Sequence, residues 1–457
     1  MNILPPILTL ARAGATSRAW DAFIAAGLDG VEDINALTLK GRLLKDRARQ
    51  AAGAERAALF ALSGAAYARA ATLRPDSYPL INAAAMALFA GDGAAAAAIA
   101  CDVLMLVDGD PSQGETPYWR EATRAEALLL LDRLPEAQAS LAAAIARAPQ
   151  AWEDHASTLR QFAAILAERG QDAAWLDPHR PAPSLHYSGI LGIAPGDAAA
   201  TDAIHSRIAD LAPGSGYGAL AAGADIIAAE AIVAAGAELH VVLPVDPSEF
   251  AEASVAPFGS EWLPRYQALL DAATSLSVCG AMSRAGIALA EYRAMGMAAK
   301  RANLLETRAI ALRIEPGERP ALGDPWLQSG RQLVHVPVSE TAVHRPTTLP
   351  DGQLLWLLML GGDANLAEPL GFGSVAELID ALPGEGATAA IDLRVDGERH
   401  GLPALLRNAT PGTILASTAA AMALLAEDRA ARAEPLGEME TTDGATGVYA
   451  IALKGSG

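Results

Sequence analysis

Cysteine is nearly missing from this chain. Cys101 and Cys279 are the only two in 457 residues, too few for a disulfide framework or a four-thiolate metal site, and in keeping with a reducing compartment. Cys101 lies in the apolar run Ala94–Val107, where packing accounts for it. Basic residues are also short, with 34 Lys and Arg against 53 Asp and Glu and a net charge of −19. That field repels a phosphate backbone and argues against duplex nucleic acid as a partner. A small anionic ligand stays open, because local N–H groups and one or two cations outweigh a distant net charge. Long apolar runs are absent too: Asp102 interrupts the alanine-rich stretch and Leu354–Leu360 has strand length, well under the roughly 18–20 residues of a membrane span. The opening MNILPPILTLARAG has no basic leader and carries Pro5-Pro6, so a cleaved signal peptide is not expected. A cytoplasmic protein that does not enter membranes is the expectation. His186 and His240 sit among apolar residues without a ligand-spaced partner, and neither a Gly-x-Ser-x-Gly elbow nor an HExxH pair occurs, so no metal and no cofactor are expected.

What is present divides the chain. Its length calls for two to four domains. From about Asp33 to Gly170 the segments read as amphipathic helices, as in Leu37, Leu43-Leu44 and Arg47. Breaks at Gly91-Asp92-Gly93, Asp132-Arg133 and Gly170-Gln171 recur about every 40 residues, near the period of helical-hairpin repeats. Pro75 and Pro149 each follow a helix-like stretch that they cannot continue. PHRPAPS then marks a linker. Beyond it, strand-like runs alternate with helices: Leu185–Leu191, Ala199–Leu211, Ala221–Gly236, Glu238–Leu243, Glu261–Ala273, Ser275–Val278, Ala288–Leu304, Ala309–Ile314 and Gln332–Pro337. Alternation of this kind implies parallel pairing with crossovers. A second change falls at His344-Arg345-Pro346, followed by strands at Leu354–Leu360, Ala389–Val395 and Gly447–Leu453. The expected fold is multidomain α and α/β: tetratricopeptide-like helical repeats over 1–177, a Rossmann-like doubly wound parallel sheet over 184–338, and a small α+β unit over 346–457.

The sharpest local feature is LAPGSGYGALAAGADIIAAEAIVAAGAELHVVLP, residues 211–244. Gly214, Ser215, Gly216, Tyr217 and Gly218 read as a turn that bares the backbone before a helix. Gly223 follows, and N–H groups with the positive end of the helix dipole then face an anion. Asp225 complicates this, since a carboxylate in the first turn repels phosphate; it either caps the helix or takes a ligand hydroxyl. Ligands of open α/β sheets collect outside the carboxyl ends of strands, which adds Ser188-Gly189 and Cys279-Gly280 as ligand-binding candidates. Tyr292, Arg293, Lys300 and Arg301 lie on the helix that follows, where one cation would neutralise phosphate; Tyr292 and Arg301 complete the candidate set.

This segment resembles the SLOG superfamily of the DNA-processing Smf/DprA proteins and the Lonely Guy enzymes, through Gly218-Ala219-Leu220-Ala221-Ala222-Gly223-Ala224-Asp225, then Gly236 and Leu239–Leu243. The resemblance implies a Rossmann-like fold with a nucleotide-like ligand over the glycine-rich turn. The Lonely Guy branch hydrolyses nucleoside monophosphates with a glutamate in a PGG-x-GT-xx-E pattern, whereas PGSGYGALAA has Ala221 and Ala222 where that carboxylate is wanted. The departure argues for binding without phosphoribohydrolase chemistry.

The helical block is similar to the TRAFs-binding domain of apoptosis signal-regulating kinases and their bacterial relatives, on Asn35–Gln50, Tyr78–Ala83, Glu115–Trp119 and Trp152–His155, implying a regulatory scaffold. The C-terminal unit resembles the closing part of class III nucleotidyl cyclases at Gly412–Thr418, Leu436-Gly437 and Val448–Ile451. Those enzymes hold metal ions with two aspartates, but the strand Leu354–Leu360 has no carboxylate and Asp363 falls in the turn after it, which implies a degenerate module for contact or dimerisation. The expected protein is a bacterial signalling regulator that senses a nucleotide-derived ligand and contacts a protein through its repeats. A nucleotide-processing hydrolase or residual cyclase is the alternative.

Overall fold

The structure is a computed structural model that describes residues 4–12, 14–114, 116–317, 324–339, 349–361, 369–382, 388–395, 401–409, 413–441 and 444–452. Asp363, Gly412 and the boundary at His344–Pro346 lie outside the described residues. The chain divides into two compact units, 1–180 and 181–456.

The first unit is a run of helices: α1 (Leu4–Arg12), α2 (Thr16–Ala25), α3 (Ile34–Gln50), α4 (Gly53–Leu73), α5 (Ser77–Phe89), α6 (Gly93–Gly109), α7 (Pro117–Leu130), α8 (Leu134–Arg147) and α9 (Trp152–Glu168). Their starts are encoded locally. Asp33, Asp76, Asp92 and Thr116 each accept a bond from a first-turn backbone N–H, satisfying donors that have no partner inside the helix. The breaks read from sequence fall between helices, with Gly91 at φ +90° and Gly170 at φ +64°, a conformation glycine adopts without a steric cost. Hairpins α3/α4, α5/α6 and α7/α8 share one apolar core. At the first crossing Gly41 makes room for the buried Tyr67 ring, 2.8 Å from where a Cβ would stand, and the Ser63 hydroxyl donates to the Gly41 carbonyl at 2.6 Å.

The second unit opens with β1 (Ser184–Gly189), α10 (Ala198–Leu211), β2 (Ser215–Gly218), α11 (Ala224–Ala234), β3 (Glu238–Leu243), α12 (Pro247–Ser254), α13 (Trp262–Ala272), β4 (Ser275–Val278), α14 (Arg284–Leu305), β5 (Ala309–Glu315), α15 (Pro325–Gln328) and β6 (Gln332–Pro337). All the pairings are parallel, in the order β4-β3-β2-β1-β5-β6. The chain steps outward from β1 to β4, then α14 carries it back to β5 on the other side of β1, so the order reverses between β1 and β5. Helices α10 to α13 cover one face and α14 the other, which makes the sheet doubly wound. Parallel strands buried on both faces read as continuous apolar runs, as VVL of β3 and AIALRI of β5 do.

A second sheet follows from β7 (Leu354–Leu360), β8 (Leu370–Phe372), α16 (Val375–Ala381), β9 (Ala389–Val395), α17 (Leu402–Asn408), β10 (Ile414–Ser417), α18 (Thr418–Glu427), β11 (Arg432–Thr441) and β12 (Gly444–Ala452), ordered β11-β12-β10-β9-β7-β8 with only β9 and β10 parallel. Residues 420–426 of α18 are buried throughout, because α18 lies between this sheet and α14 and joins a core to which both sheets contribute. Small residues permit that contact: a Cβ on Gly296 of α14 would overlap the Met422 backbone. Where α18 ends, its last carbonyls are met by Arg331, whose guanidinium donates to Ala426 O and Leu425 O at 2.7 Å each and offsets the negative end of the helix dipole. Two charge-assisted bonds to a buried terminus stabilise more than neutral ones. Arg331→Ala is expected to cost about 2 kcal/mol, seen as a lower urea midpoint, and an unchanged midpoint would contradict this role. Among the described residues no helix is long and apolar enough to cross a membrane.

Candidate functional site

The segment Gly214–Gly218 is not the turn its glycines suggest. Ser215–Gly218 is strand β2, fully buried, and the connection that bends is 219–223. The glycines serve close packing: a Cβ on Gly216 would stand 2.5 Å from the end of Ile232 on α11, and one on Gly218 2.6 Å from the Tyr187 carbonyl. Gly214 and Ser215 pair with the start of β1, through Gly214 N to Pro183 O at 2.9 Å and Ser215 Oγ to Ser184 Oγ at 3.3 Å. They sit at the amino ends of the strands, opposite to where a doubly wound sheet takes ligands.

The start of α11 is likewise engaged by the chain itself. Gly223, at φ +98°, presses against the loop after β1, where a Cβ would lie 2.8 Å from Leu191 O. Ala224 N donates to Ile190 O at 3.1 Å and Ala222 N to Ser254 O at 3.0 Å. Asp225 caps neither end of the helix. Its buried carboxylate accepts from Gly189 N at 3.0 Å and Ala221 N at 3.4 Å, tying together the loops that leave β1 and β2. Burial pushes its pKa up to about 7 against the lowering effect of those two N–H groups. A carboxyl whose folded pKa is raised above its unfolded value near 3.8 takes up a proton on folding, so stability falls as pH rises from about 4 to 7 and is level above. Asp225→Asn removes this dependence. Relative to the parent it is expected to gain roughly 2–3 kcal/mol between pH 5 and pH 8, measured by urea unfolding at the two values; parallel pH profiles would refute the assignment.

At the carboxyl ends of β1 and β5 the candidate Ser188 meets Glu291, Arg313 and Asp324, which the sequence did not single out. Ser188 of β1 pairs with Arg313 of β5 in register, and both meet α14. The Ser188 hydroxyl donates to Glu291 Oε1 at 3.2 Å, and Arg313 Nη2 lies 3.5 Å from the same oxygen. Arg313 Nε donates to Asp324 Oδ2 at 2.6 Å, while Asp324 Oδ1 caps α15 through Trp326 N at 2.8 Å. His186 Nδ1 donates to Tyr217 O at 3.0 Å, leaving Nε2 without a hydrogen-bond partner and 3.7 Å from Glu291 Oε1. Burial lowers the His186 pKa, against the raising effect of Glu291 beside it. Burial alone would raise Glu291, but His186, Arg313 and Ser188 outweigh it and hold the carboxylate at about 2. Its side chain is still 39% exposed, so a stable negative charge stands at the rim of the sheet. For the other members the signal in the sequence was Arg313, a single charge inside an apolar strand, which must find a partner when buried.

The remaining candidates fall elsewhere. Cys279 follows β4, with its thiol donating to Leu243 O at 3.4 Å and pushed up by burial to about 11, which removes it as a nucleophile at neutral pH. Gly280 beside it is exposed. Tyr292 packs toward α18, where its hydroxyl meets Glu427. Arg301 pairs with Glu238 at 3.0 Å, and Glu238 begins β3. Because α14 runs antiparallel to the strands, its late residues lie at their amino ends. Tyr217 stacks on His240 there, ring centroids 4.5 Å apart. The structure therefore joins Ser188, Gly189, Gly223 and Asp225 into one place and separates them from Gly214, Ser215, Tyr217, Tyr292 and Arg301.

In the first unit a polar row crosses the odd-numbered helices. Lys45 of α3 donates to Asn82 of α5 at 3.3 Å, and Gln161 of α9 donates to Glu126 of α7 at 3.0 Å. Desolvation lowers Lys45 to about 8 and raises Glu126 to about 7, bringing both titrations nearer to neutral pH. No curated protein and no solved structure matches the chain. The family model described as Tetratricopeptide Repeats-Sensor matches residues 6–87, from α1 into α5. The match supports tetratricopeptide-like helical repeats in this region, and repeats of that kind suggest a regulatory role through protein interaction.

Proposed function

We propose that this protein is a signalling regulator whose second unit senses a nucleotide-derived ligand and whose repeats pass the signal to a protein partner. The observation that carries this reading is the convergence of Ser188, Glu291, Arg313, Asp324 and Asp225 at the reversal of strand order between β1 and β5, where doubly wound sheets bind ligands. The reading takes residues 184–338 as a SLOG-like module and 346–457 as a degenerate cyclase-like module, with the repeats over 1–177. Helix α14 offers a mechanical link: Glu291 faces the crevice, while Tyr292 and Gly296 meet Glu427 and Met422 of α18. A ligand that shifts α14 acts on the second sheet through packed backbone, which resists gradual deformation. Binding without turnover fits a site in which Ala221 and Ala222 replace the Lonely Guy carboxylate.

Thermal unfolding of the full chain with AMP, ATP, GTP and NAD tests the reading. A ligand at a hundredfold over its Kd adds about 2.7 kcal/mol, and at least one of the four is expected to raise the midpoint. If none does, the sensing role fails. Incubation of the same four with Mg²⁺ or Mn²⁺, followed by chromatography, is expected to return them intact; steady turnover would put an enzyme in place of a sensor.

A further inference from the structure

At the amino ends of β3 and β4, away from the crevice, three side chains line up on the face of the sheet that α14 covers. Glu238 and His240 are two residues apart on β3 and so share that face. Ser275 of β4 is in register with His240. The imidazole lies between the other two, with Nε2 3.3 Å from Glu238 Oε2 and Nδ1 2.8 Å from Ser275 Oγ.

The direction of these bonds follows from the donors present. Glu238, ion-paired with Arg301 at 3.0 Å, only accepts. In the neutral ring Nε2 therefore carries the proton, Nδ1 is a lone pair, and the Ser275 hydroxyl donates to it. Carboxylate, imidazole and hydroxyl stand in the order that activates a serine: a base reaches the proton of the nucleophile, and a third group fixes the tautomer of the base. Tyr217 stacks on the ring with centroids 4.5 Å apart and planes 8° from parallel, which holds its orientation.

The hydroxyl is also reachable. Ser275 is half-buried and β4 is an edge of its sheet. Thr274 N donates toward β3, to Leu239 O at 2.7 Å. Successive N–H groups of a strand point to opposite sides, so that of Ser275 faces the open edge. A backbone donor beside the nucleophile stabilises an oxyanion. The edge is open and the chain carries a net charge of −19, which suits a small electrophile without negative charge.

We propose that Ser275 is an acyl-accepting nucleophile, with His240 as its general base and Glu238 as the positioning residue, and that this edge hydrolyses small uncharged carboxylic esters. Ser275 Oγ adds to the ester carbonyl carbon as its proton passes to His240 Nδ1. The imidazolium, beside Glu238, gives that proton to the departing alcohol. Water then loses a proton to the same nitrogen, attacks the acyl-serine, and releases the acid while the proton returns to Ser275. The activity is independent of nucleotide sensing in the crevice.

A fluorophosphonate probe with peptide mapping by mass spectrometry locates the nucleophile, and p-nitrophenyl acetate measures turnover, both on the full chain. The probe is expected on Ser275. Ser275→Ala is expected to remove the label and His240→Asn to slow labelling and turnover at least a hundredfold. Glu238→Gln, at a side chain 44% exposed, is expected to slow both at least tenfold and keeps the test open should His240→Asn fail to fold, as checked by thermal unfolding. Ser277→Ala is the control, since Ser277 stands opposite Val242 with no base across the strand; it is expected to react as the parent does. Glu238, Arg301 and Tyr217 face the ring, and burial lowers its pKa from 6.5 despite Glu238, so the rate is expected to fall with acid only below pH 6.5. No label on Ser275, a label whose rate ignores His240→Asn and Glu238→Gln, or ester turnover equal in the parent and Ser275→Ala overturns the proposal.

Discussion

Gly296→Ala is expected to destabilise the second unit by about 3 kcal/mol or more, although alanine is the better helix former by about 1 kcal/mol. The added methyl has no volume to occupy, because it falls on the backbone of Met422, itself in the middle of a helix buried along residues 420–426. A flexible side chain would swing aside; a helical peptide cannot. The helices must separate, and Ala294, Ala298 and Ala299 lose contact with α18 across the shared core. Urea unfolding of parent and variant measures the loss, and Gly93→Ala serves as the comparison, since nothing lies within 4 Å of a Cβ there. Equal midpoints for the two variants would mean that α14 and α18 do not touch as described.

Gly223→Ala is the second large effect, expected at roughly 4 kcal/mol. Two costs add. At φ +98° and ψ −122° the backbone is in a region open to glycine and closed to a residue with a Cβ. The methyl would also stand 2.8 Å from Leu191 O and 2.9 Å from Ile190 O, two carbonyls fixed by the loop after β1. Gly236, which ends the turn after α11 at φ +75°, has open space around its Cβ position, so Gly236→Ala meets the conformational cost alone, about 1 kcal/mol. The difference between the two variants in denaturant unfolding measures the packing term together with the larger backbone cost at Gly223. Since Gly223 precedes the Asp225 bridge between two loops of the crevice, Gly223→Ala should also abolish ligand-induced stabilisation, which Gly236→Ala retains.

Elements of the fold whose pattern is local were legible in the sequence. Ser275–Val278 and Gln332–Pro337 were read to the residue, and the helix–strand alternation from 184 to 337 gave the doubly wound sheet. The glycine-rich segment misled because composition and conformation part company there. SGYG signals a turn locally, yet in β2 the missing side chains let Ile232 and Tyr187 approach the strand, a requirement set by tertiary packing and invisible in a window of ten residues. The partners of Ser188 in the polar group escaped for a related reason. Ser188 and Glu291 are 103 residues apart in the chain and meet only once α14 has crossed back over the sheet. Arg301 lies away from Ser188 and Asp225 because helical direction, which sequence spacing does not encode, puts the late turns of α14 at the amino ends of the strands. Asp225 was noticed at once, but its bonds run to Gly189 and Ala221, a bridge between loops that neither capping nor ligand binding anticipated.

A ligand sensed by the second unit as proposed sits at the carboxyl ends of β1, β2 and β5. Amide hydrogen exchange of the full chain, with and without whichever of AMP, ATP, GTP and NAD stabilises it, locates the ligand directly. Added protection is expected in residues 187–191, 219–225 and 284–295, with 212–216 and 299–305 unchanged. Protection centred on Gly214, Ser215 and Arg301, at the opposite end of the same strands, would contradict it.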